Sequence, residues 1–304
     1  MKTDPEHYHF KSISQLMQAL SYPAPSHPLL ALVNYNHLPP VFFEAGKKIS
    51  LDFYKISFKD KFSGSVRYGQ GYYDFEEGGM AFLKPKQLVV SSDRSEGYEG
   101  YVLYFHPDLI RSYPLGSLID QYGFFSYDVS EALYLSAKEK EIVSGLFAGI
   151  ATELENNIDQ FSQDVLVSQL ALILNFSNRF YNRQFITRKN INNQTVAALD
   201  RLLENYFNEY VGLRKGLPNV QYVSSQLNLS PRYLSDMLRS LTGLNTQQYI
   251  QDKIIERSKS LLSSTPLSIS EIAYQLGFGH PQSFSKFFKI KTNLSPLAFR
   301  QPFS

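Results

Sequence analysis

Apolar residues near the C-terminal end of the chain recur every three or four positions, in two stretches that resemble each other. The first runs from residue 219 to 239 and the second from 268 to 289. The pairs that match at a spacing of about 49 to 50 residues are Val223 and Ile272, Gln226 and Gln275, Leu227 and Leu276, Leu234 and Phe284, Leu238 and Phe288, Thr242 and Thr292, and Leu244 and Leu294. This internal repeat predicts two copies of a helix-turn-helix unit.

Residues that tolerate positive φ stand where each unit has to turn. Asn228 and Gly277 follow the first helix of each copy, and Gly243 and Asn293 follow the second. Glycine and asparagine enter the left-handed region at the lowest steric cost. Each copy therefore carries its own signal for the turn and for the end of the second helix.

The helix starts are marked as well. Ser230 with Pro231 predicts an N-cap followed by proline at the first helical position, and Ser268 with Glu271 predicts a capping box. Between the copies, residues 246 to 262 predict one helix that spans roughly 25 Å. It would bring the two second helices about 34 Å apart, one turn of DNA. Helical spacing places these side chains in the core: Leu227, Leu234, Met237, Leu238, Ile272, Leu276, Phe284 and Phe288.

The N-terminal half has a different pattern. From residue 29 to about 105, short runs of alternating apolar and polar residues are separated by glycine, proline and charged turns. They predict many short strands in a small barrel or sandwich. Residues 1 to 28 are polar and interrupted by prolines, and predict a short helix near Ile13–Leu20 with loop around it.

Two further helices follow the strands. Apolar positions at helical spacing predict a helix over residues 137 to 154 and another over about 160 to 181, joined as an antiparallel hairpin. The polar stretch from 182 to 194 is interpreted as a linker, and 195 to 210 as the first helix of the next domain. We therefore assign residues 1–185 to a first domain, 186–192 to the linker and 193–304 to a second domain.

Composition and charge agree with this division. The chain has 304 residues, 43% of them hydrophobic, and no cysteine, which excludes disulfides and thiolate metal sites. No apolar leader or long apolar span occurs, so we expect a cytoplasmic protein without a membrane partner. Residues 193–304 contain twelve Lys and Arg and seven Asp and Glu, a net charge of +5. The residues before position 193 have a net charge of −3. The imbalance is modest but has the sign that a nucleic-acid partner requires.

The repeated unit resembles the DNA-binding domain of the AraC/XylS family of bacterial transcription regulators. The residues that carry the resemblance are Leu229-Ser-Pro-Arg-Tyr-Leu-Ser235, Thr242-Gly243, Glu271-Ile-Ala-Tyr-Gln-Leu-Gly-Phe278, Phe284-Ser-Lys-Phe-Phe-Lys289 and Ser295-Pro-Leu-Ala-Phe-Arg300. The resemblance covers about a hundred residues. It implies an α+β protein in which a cupin-like β-barrel with a helical hairpin precedes an all-α DNA-binding domain.

The resemblance also implies which side chains contact DNA, because the second helix of each unit enters the major groove. The base-contacting positions are Arg232, Ser235, Asp236, Gln282, Ser283 and Lys286. Arginine suits the O6 and N7 of guanine, and glutamine suits adenine. The positions expected to contact phosphates are Arg239, Lys289 and Lys291. Arg232, Ser235, Gln282 and Ser283 have an alternative interpretation as solvated surface, and His280 is expected to cap or flank a helix.

Two positions depart from the family pattern. Asp236 stands where many relatives have a basic or neutral polar residue, and phosphate repels a carboxylate unless Arg232, Arg239 or a cytosine amino group compensates it. Ile254 stands where the family usually has an arginine in the connecting helix. Both changes count against strong binding by the first unit.

The strand-rich segment is similar to the cupin-like sensor domain that precedes such DNA-binding domains. The similarity rests on Gly79-x5-Pro85 and on Gly100-Tyr-Val-Leu-Tyr-Phe-His-Pro-Asp-Leu109. Metal-binding cupins have Gly and His where this chain has Gln87 and Val90, and the one His-x-His pair, His7 and His9, lies before the predicted barrel. We therefore expect no metal or other cofactor, no catalytic residues and no enzyme activity. Abundant Tyr and Phe leave open either an effector pocket or a plain aromatic core.

The function expected from these patterns is sequence-specific DNA binding that regulates transcription in response to an effector. The implied partners are double-stranded DNA, a small-molecule effector, RNA polymerase and a second copy of the chain. The alternatives are a DNA-binding protein without ligand control, a cupin-type enzyme with a DNA-binding tail, and a non-specific architectural DNA protein, which the low charge disfavours. The hairpin either forms a dimer, as in the family, or only covers the barrel.

Overall fold

A computed structural model describes residues 7–37, 46–62, 65–68, 71–74, 78–90, 98–156, 159–187 and 189–303. The chain divides into two compact units, Met1–Gln184 and Phe185–Ser304. The first unit contains all the described strands and the second is helical, so the predicted α+β class is confirmed.

The strands of the first unit lie in three sheets. Their order is β10-β7-β4-β9-β2 in a five-stranded sheet, β1-β3-β8 in a three-stranded sheet and β5-β6 in a hairpin. Their bounds are β1 His7–Phe10, β2 Leu30–Asn34, β3 Lys48–Leu51, β4 Tyr54–Phe62, β5 Ser65–Tyr68, β6 Gly71–Asp74, β7 Gly79–Leu83, β8 Val89–Val90, β9 Tyr98–Phe105 and β10 Leu133–Tyr134.

The helices occur before, after and beyond these strands. Short 3-10 turns connect some of them, notably between residues 119 and 131. The helix bounds are α1 Ile13–Ala19, α2 Pro107–Ile110, α3 Pro114–Leu118, α4 Ala137–Glu155, α5 Ser162–Thr187, α6 Lys189–Asn208, α7 Gly212–Lys215, α8 Val220–Gln226, α9 Pro231–Thr242, α10 Thr246–Ser264, α11 Ile269–Leu276, α12 Pro281–Thr292 and α13 Pro296–Arg300.

The central strand β4 divides its side chains between the two faces of the five-stranded sheet. Tyr54, Ile56 and Phe58 are buried on one face. The ring of Phe58 stacks on Phe147 of α4 with centroids 5.7 Å apart, which places the helical hairpin on this face. The alternation was read correctly from the sequence because one face of an antiparallel sheet packs on the core.

The opposite face of the same sheet meets the N-terminal segment. Ala31, Val33, Val102 and Tyr104, contributed by β2 and β9, join a buried cluster with residues of β1, α1 and β3. The prediction of helix plus loop for residues 1–28 was therefore incomplete. Residues 7–10 form β1, which pairs in parallel with β3. A four-residue strand whose partner lies some forty positions away leaves no local signal.

The two long helices of the first unit form the predicted hairpin. Glu139 near the start of α4 accepts a hydrogen bond of 3.0 Å from Nε of Arg183 near the end of α5. Further along, a Cβ at Gly149 would lie 3.1 Å from Nε2 of Gln169. These two contacts require antiparallel helices. Leu170, Ile173 and Leu174 of α5 are buried, so the helices cover the sheet, as one of the two alternatives proposed.

The polar segment that was predicted to link two domains is helical wherever the structure describes it. Helix α5 continues to Thr187, and α6 begins at Lys189, six residues before the predicted start at residue 195. The division between the two compact units falls between Gln184 and Phe185. Polar composition did not distinguish a linker from the exposed side of a helix, because both are hydrophilic.

The second unit contains both predicted helix-turn-helix units, α8 with α9 and α11 with α12. Asn228 has φ 54° and Gly277 has φ 99° at the two turns, and Gly243 and Asn293 end the second helices with φ 78° and 62°. These turn and termination predictions are confirmed.

The helix starts agree with the sequence as well. Ser230 accepts a hydrogen bond from the backbone N–H of Tyr233 at 3.2 Å, and Ser268 and Glu271 form a reciprocal capping box. Local capping satisfies the backbone donors that the first turn of each helix leaves unpaired.

The repeat extends to a hydrogen bond in the last turn of the second helix of each helix-turn-helix unit. Thr242 Oγ1 donates to the carbonyl of Leu238, and Thr292 Oγ1 donates to that of Phe288, both at 2.8 Å. Of the eight residues predicted to be core, all are buried except Leu227, which is partly exposed at the turn.

Candidate nucleic-acid interface

Helix α9, the second helix of the first helix-turn-helix unit, is sharply divided into two sides. Leu234, Met237 and Leu238 are buried against the rest of the unit. Arg232 and Arg239 lie on the exposed side. Pro231 and the Ser230 cap begin the helix just before Arg232, so this side chain occupies the first turn. The first turns of a recognition helix are the part that reaches base edges in helix-turn-helix proteins.

Asp236 lies between these two arginines and binds both. Its Oδ2 accepts from Nε of Arg232 at 2.9 Å, and its Oδ1 accepts from Nη1 of Arg239 at 3.1 Å. The spacings of four and three residues along a helix allow both contacts. The compensation that the sequence required for a carboxylate at this position is therefore present, and the two arginines hold each other's orientation through it.

The second helix-turn-helix unit presents a different set of groups. Gln282, Ser283 and Lys286 are exposed on α12, while Phe284 and Phe288 are buried beneath them. His280 is the N-cap residue and makes no side-chain capping bond, although its carbonyl accepts from the N–H of Ser283 at 3.1 Å. The expectation that His280 flanks a helix is confirmed.

The cations expected to contact phosphates follow on the same helices. Lys289 is exposed near the end of α12. Lys291 lies 3.9 Å from a carboxylate oxygen of Asp252 on α10, a long and partly solvated ion pair. An exposed pair of this kind is worth about 0–1 kcal/mol, so it leaves the lysine available for a phosphate.

The connecting helix α10 is fixed to α6 by polar contacts. The hydroxyl of Tyr249 donates to Asp200 at 2.8 Å, and Nζ of Lys253 lies 3.1 Å from the same carboxylate. Burial and this hydrogen bond raise the pKa of Tyr249. Although burial acts in the opposite direction, Asp200 and Glu256 raise the pKa of Lys253, which stays charged. Ile254 next to it is 3% exposed. The position that departs from the family pattern therefore faces the core of the unit and offers no surface for DNA.

The His-x-His pair of the first unit takes part in a polar cluster. Nε2 of His7 and Nδ1 of His9 lie 2.8 and 2.9 Å from Oγ of Ser50, and Nε2 of His9 lies 3.4 Å from Asp52. The pair was expected to lie outside the strand-rich region, and this was wrong, because β1 is part of the three-stranded sheet. Within the ranges given above, no group of three or more His, Asp or Glu side chains is arranged to hold a metal ion.

Strand β4 carries two lysines that the sequence reading passed over. Lys55 and Lys59 alternate with the buried Tyr54, Ile56 and Phe58, and a period-2 pattern of this kind is typical of a strand with one solvated face. The structure buries that face too, and Lys59 is only 6% exposed. The available signal was the polar pattern Lys-x-Ser-x-Lys on a strand that lies in the middle of its sheet.

No helix in the described portion of the chain is long and apolar enough to cross a membrane.

Both units resemble known protein families. A profile described as a helix-turn-helix domain matches residues 223–302, and one described as an AraC-like ligand binding domain matches residues 51–171. The HTH-type transcriptional activator RhaS of Escherichia coli O1:K1 / APEC is 31% identical over 153 residues, 49% of each protein. Histidine kinase P4 of Formosa agariphila is 28% identical over 153 residues, which are 49% of this chain and 11% of the kinase.

A solved structure is similar in the C-terminal part. The C-terminal domain of the two-component response regulator yesN from Fusobacterium nucleatum shares 32% identity, covers 33% of this chain and 96% of its own, and has a TM-score of 0.29. The chain spans about half the length of RhaS and about a tenth of the kinase that it matches.

Proposed function

Because the chain belongs to the AraC family of transcription regulators, we propose that it binds two successive major grooves of promoter DNA and regulates transcription in response to a small molecule. The observation that supports this most directly is the duplicated arrangement of α9 and α12. Each buries an apolar side in the second unit and presents polar and basic side chains on the other. The proposed place of action is the cytoplasm, where bacterial DNA lies.

The proposed division of labour on α9 follows from its ion pairs. Arg232, in the first turn, reads a guanine through its planar guanidinium, which presents two donors side by side. Asp236 holds that guanidinium through Nε and leaves the terminal nitrogens to the base. Ser235 lies beside them and is partly exposed. Arg239 contacts a phosphate and fixes the register of the helix.

On α12 the proposed readers are neutral or singly basic. Gln282 pairs with an adenine, and Ser283 and Lys286 contact neighbouring base edges. Lys289 and Lys291 bind phosphates on the flank of the same groove. The described part of α12 carries no carboxylate. We therefore expect the second helix-turn-helix unit to contribute more of the non-specific affinity for DNA than the first helix-turn-helix unit.

The first unit is proposed to sense the effector and to form a dimer. The profile for an AraC-like ligand binding domain supports sensing. Three apolar side chains around α5, namely Phe161, Val165 and Leu172, are 59%, 37% and 44% exposed, and they support a helix-to-helix contact with a second copy. Sedimentation of the full chain tests this: replacement of Phe161 and Leu172 by serine should shift a dimer to monomer. Contact with RNA polymerase belongs to the same proposal.

The experiment that tests DNA recognition is selection of binding sites from random duplexes with the full chain, repeated at several salt concentrations. The expected result is a bipartite motif whose halves lie about one helical turn, roughly 10 base pairs, apart. A double variant, Arg232→Ala with Gln282→Ala, serves as the matched control and should lose the motif while it keeps weak binding. Binding by the parent protein that ignores sequence at every salt concentration would refute the proposal.

A further inference from the structure

A short segment that precedes the first helix-turn-helix unit packs its backbone against the turn of the second helix-turn-helix unit. Gly212, at the start of α7, is buried. A Cβ at this position would lie 3.0 Å from the backbone nitrogen of Gly277 and 3.1 Å from the carbonyl oxygen of Gln275. An ordinary contact between heavy atoms is about 3.5–4.0 Å long. The approach of α7 to the end of α11 therefore depends on the missing side chain of Gly212.

Gly277 forms the other side of the same contact. A Cβ at this position would lie 2.9 Å from the backbone nitrogen of Leu217 and would clash with the carbonyl group of Gly216. The helix-turn-helix turn alone does not require glycine, because Asn228 occupies the equivalent turn of the first copy with φ 54°. Gly277 therefore serves the close approach of this segment as well as the turn.

Residues 212–218, which we call the brace, are also fixed to the first helix-turn-helix unit. The hydroxyl of Tyr206 on α6 donates to the carbonyl oxygen of Gly216 at 2.8 Å. The ring of Tyr206 meets that of Tyr222 on α8 edge to face, with centroids 5.2 Å apart. The brace ends where α8 begins, at Val220 after its N-cap. It therefore contacts the second helix-turn-helix unit directly and the first through Tyr206.

The brace is a second connection between the two helix-turn-helix units. The first is α10, which joins the end of α9 to the start of α11. A single connecting helix leaves both of its ends free to bend, whereas a further contact restricts the angle between the units. A contact between two backbones has no rotamer that can adjust, so it fixes that angle closely. The contact at Gly277 lies just before Pro281, where α12 begins.

We propose that Gly212 and Gly277 are positioning residues, which fix the angle between the two helix-turn-helix units and thereby the spacing of the half-sites that one chain binds together. The proposal rests on the tandem DNA recognition proposed above. One base pair inserted between two half-sites moves them about 3.4 Å apart and rotates them by roughly 35° about the duplex axis. A joint between backbones does not follow this change, so the chain accepts a narrow range of spacings.

The test is binding of the full chain to a spacing series. The duplexes carry the selected bipartite motif with one or two base pairs inserted or removed between its halves, and further duplexes carry a single half. The parent protein should prefer one spacing. Gly212→Ala inserts a methyl group into the joint at a position where the helical backbone accommodates alanine. Its affinity for the preferred spacing should fall about tenfold, because base contacts in one groove are lost. Its affinity for single halves should stay that of the parent.

A matched control separates the joint from the substitution itself. Gly145 is another helical glycine, on α4, and a Cβ there would meet no atom of the described residues within 4 Å. Gly145→Ala should therefore bind the whole series as the parent does.

A second variant weakens the brace without adding an atom. Tyr206→Phe removes the hydrogen bond to Gly216 and keeps the ring, so it should broaden the range of accepted spacings while binding to single halves is retained. Its control is Tyr113→Phe, which removes a hydroxyl bonded to Asp164 in the first unit of the chain and should leave the spacing profile unchanged.

The spacing profile distinguishes positioning from a purely structural contact. If Gly212→Ala binds every spacing and single halves more weakly by the same factor, the contact only stabilises the fold and the proposal is overturned. If Gly212→Ala does not fold, as judged by circular dichroism, Tyr206→Phe decides by the same criterion. A parent protein without any spacing preference refutes tandem recognition and this role together. A parent preference that the folded variants retain refutes the positioning role alone.

Discussion

The Nε of Arg232 donates to Oδ2 of Asp236 across 2.9 Å, one helical turn further along α9. Asp236 therefore fixes the guanidinium of an arginine at the start of the helix that we propose enters the major groove. The same carboxylate binds Arg239 through its other oxygen at 3.1 Å. One acidic residue therefore orients both arginines of α9.

Replacing Arg232 by alanine should relax specificity at one base pair of the first half-site. The expected loss of discrimination is about 1–3 kcal/mol at that position, because a bidentate contact to guanine is removed. Gln282→Ala should have the same effect in the other half-site. Quantitative footprinting on sites with single substitutions measures both. Unchanged preference in both variants would refute the assignment of these contacts.

Replacing Asp236 by alanine should separate orientation from charge. Without its acceptor, the Arg232 side chain samples more rotamers, so discrimination at its base pair should fall, while affinity for random DNA should rise because one negative charge is lost. Glu204→Ala is the matched control, since it removes an exposed carboxylate from α6 without touching either arginine. Equal discrimination in the Asp236→Ala variant and the parent protein would show that Asp236 does not position Arg232.

Replacing Lys289 by alanine should weaken binding to all sequences about equally. A lost phosphate contact reduces the slope of log K against log salt by about 1 and leaves the sequence preference intact. Fluorescence anisotropy titrations between low and moderate salt give the slope. Lys259→Ala, an exposed lysine on α10, controls for net charge alone. If both variants lower the slope equally, Lys289 acts only through the general field.

Replacing Gly277 by alanine should destabilise the second helix-turn-helix unit. Its φ of +99° opposes any side chain, and a Cβ at this position would also clash with the carbonyl oxygen of Gly216. The backbone strain alone costs about 1–3 kcal/mol, and the contact adds to it. The equivalent turn residue of the first copy, Asn228, has φ 54° and should tolerate Asn228→Gly within about 1 kcal/mol. Urea unfolding followed by circular dichroism compares the two.

Lys55 and Lys59 should make stability depend on pH in the alkaline range. Their pKa values of about 8 and about 7 in the folded protein lie below the ordinary value of 10.5. The unfolded chain therefore binds more protons between about pH 7 and 10.5, and the stability contributed by these groups rises with pH through that window. Below it, both lysines are charged in both states and the full cost of burial remains.

The measurement is the free energy of unfolding of the parent minus that of Lys59→Met, from pH 6 to 10. The difference should change with pH across the window, whereas the difference from Lys48→Met, which removes an exposed lysine from β3, should stay flat. On the same sheet face, the titratable side chains at positions paired with these strands are Tyr104 and Tyr134. The packed β1 and β3 segment brings His7, His9 and Asp52, which contact Ser50 or each other. A flat difference for Lys59→Met would contradict the burial of its charge.

Much of the candidate interface could be predicted from the sequence. Helical spacing alone placed Phe284 and Phe288 inside and Gln282 outside, because a short helix with one apolar side has only one way to pack. The partners of Asp236 were also foreseeable, since residues three and four apart on a helix are neighbours. Helical spacing also puts Ile254 on the apolar side of the connecting helix, where it is buried, although the family pattern has a polar residue at that position.

The sequence by itself determined the two helix-turn-helix units, because their turns, caps and apolar sides are specified by residues within a few positions of one another. The tertiary structure decided what pairs over long distances. It joined His7–Phe10 to Lys48–Leu51 in parallel, and it covered both faces of β4, so that Lys59 is buried and Lys55 is partly buried. Alternation along a strand shows that its two faces differ, but only the elements packed on each face determine whether the polar one is solvated.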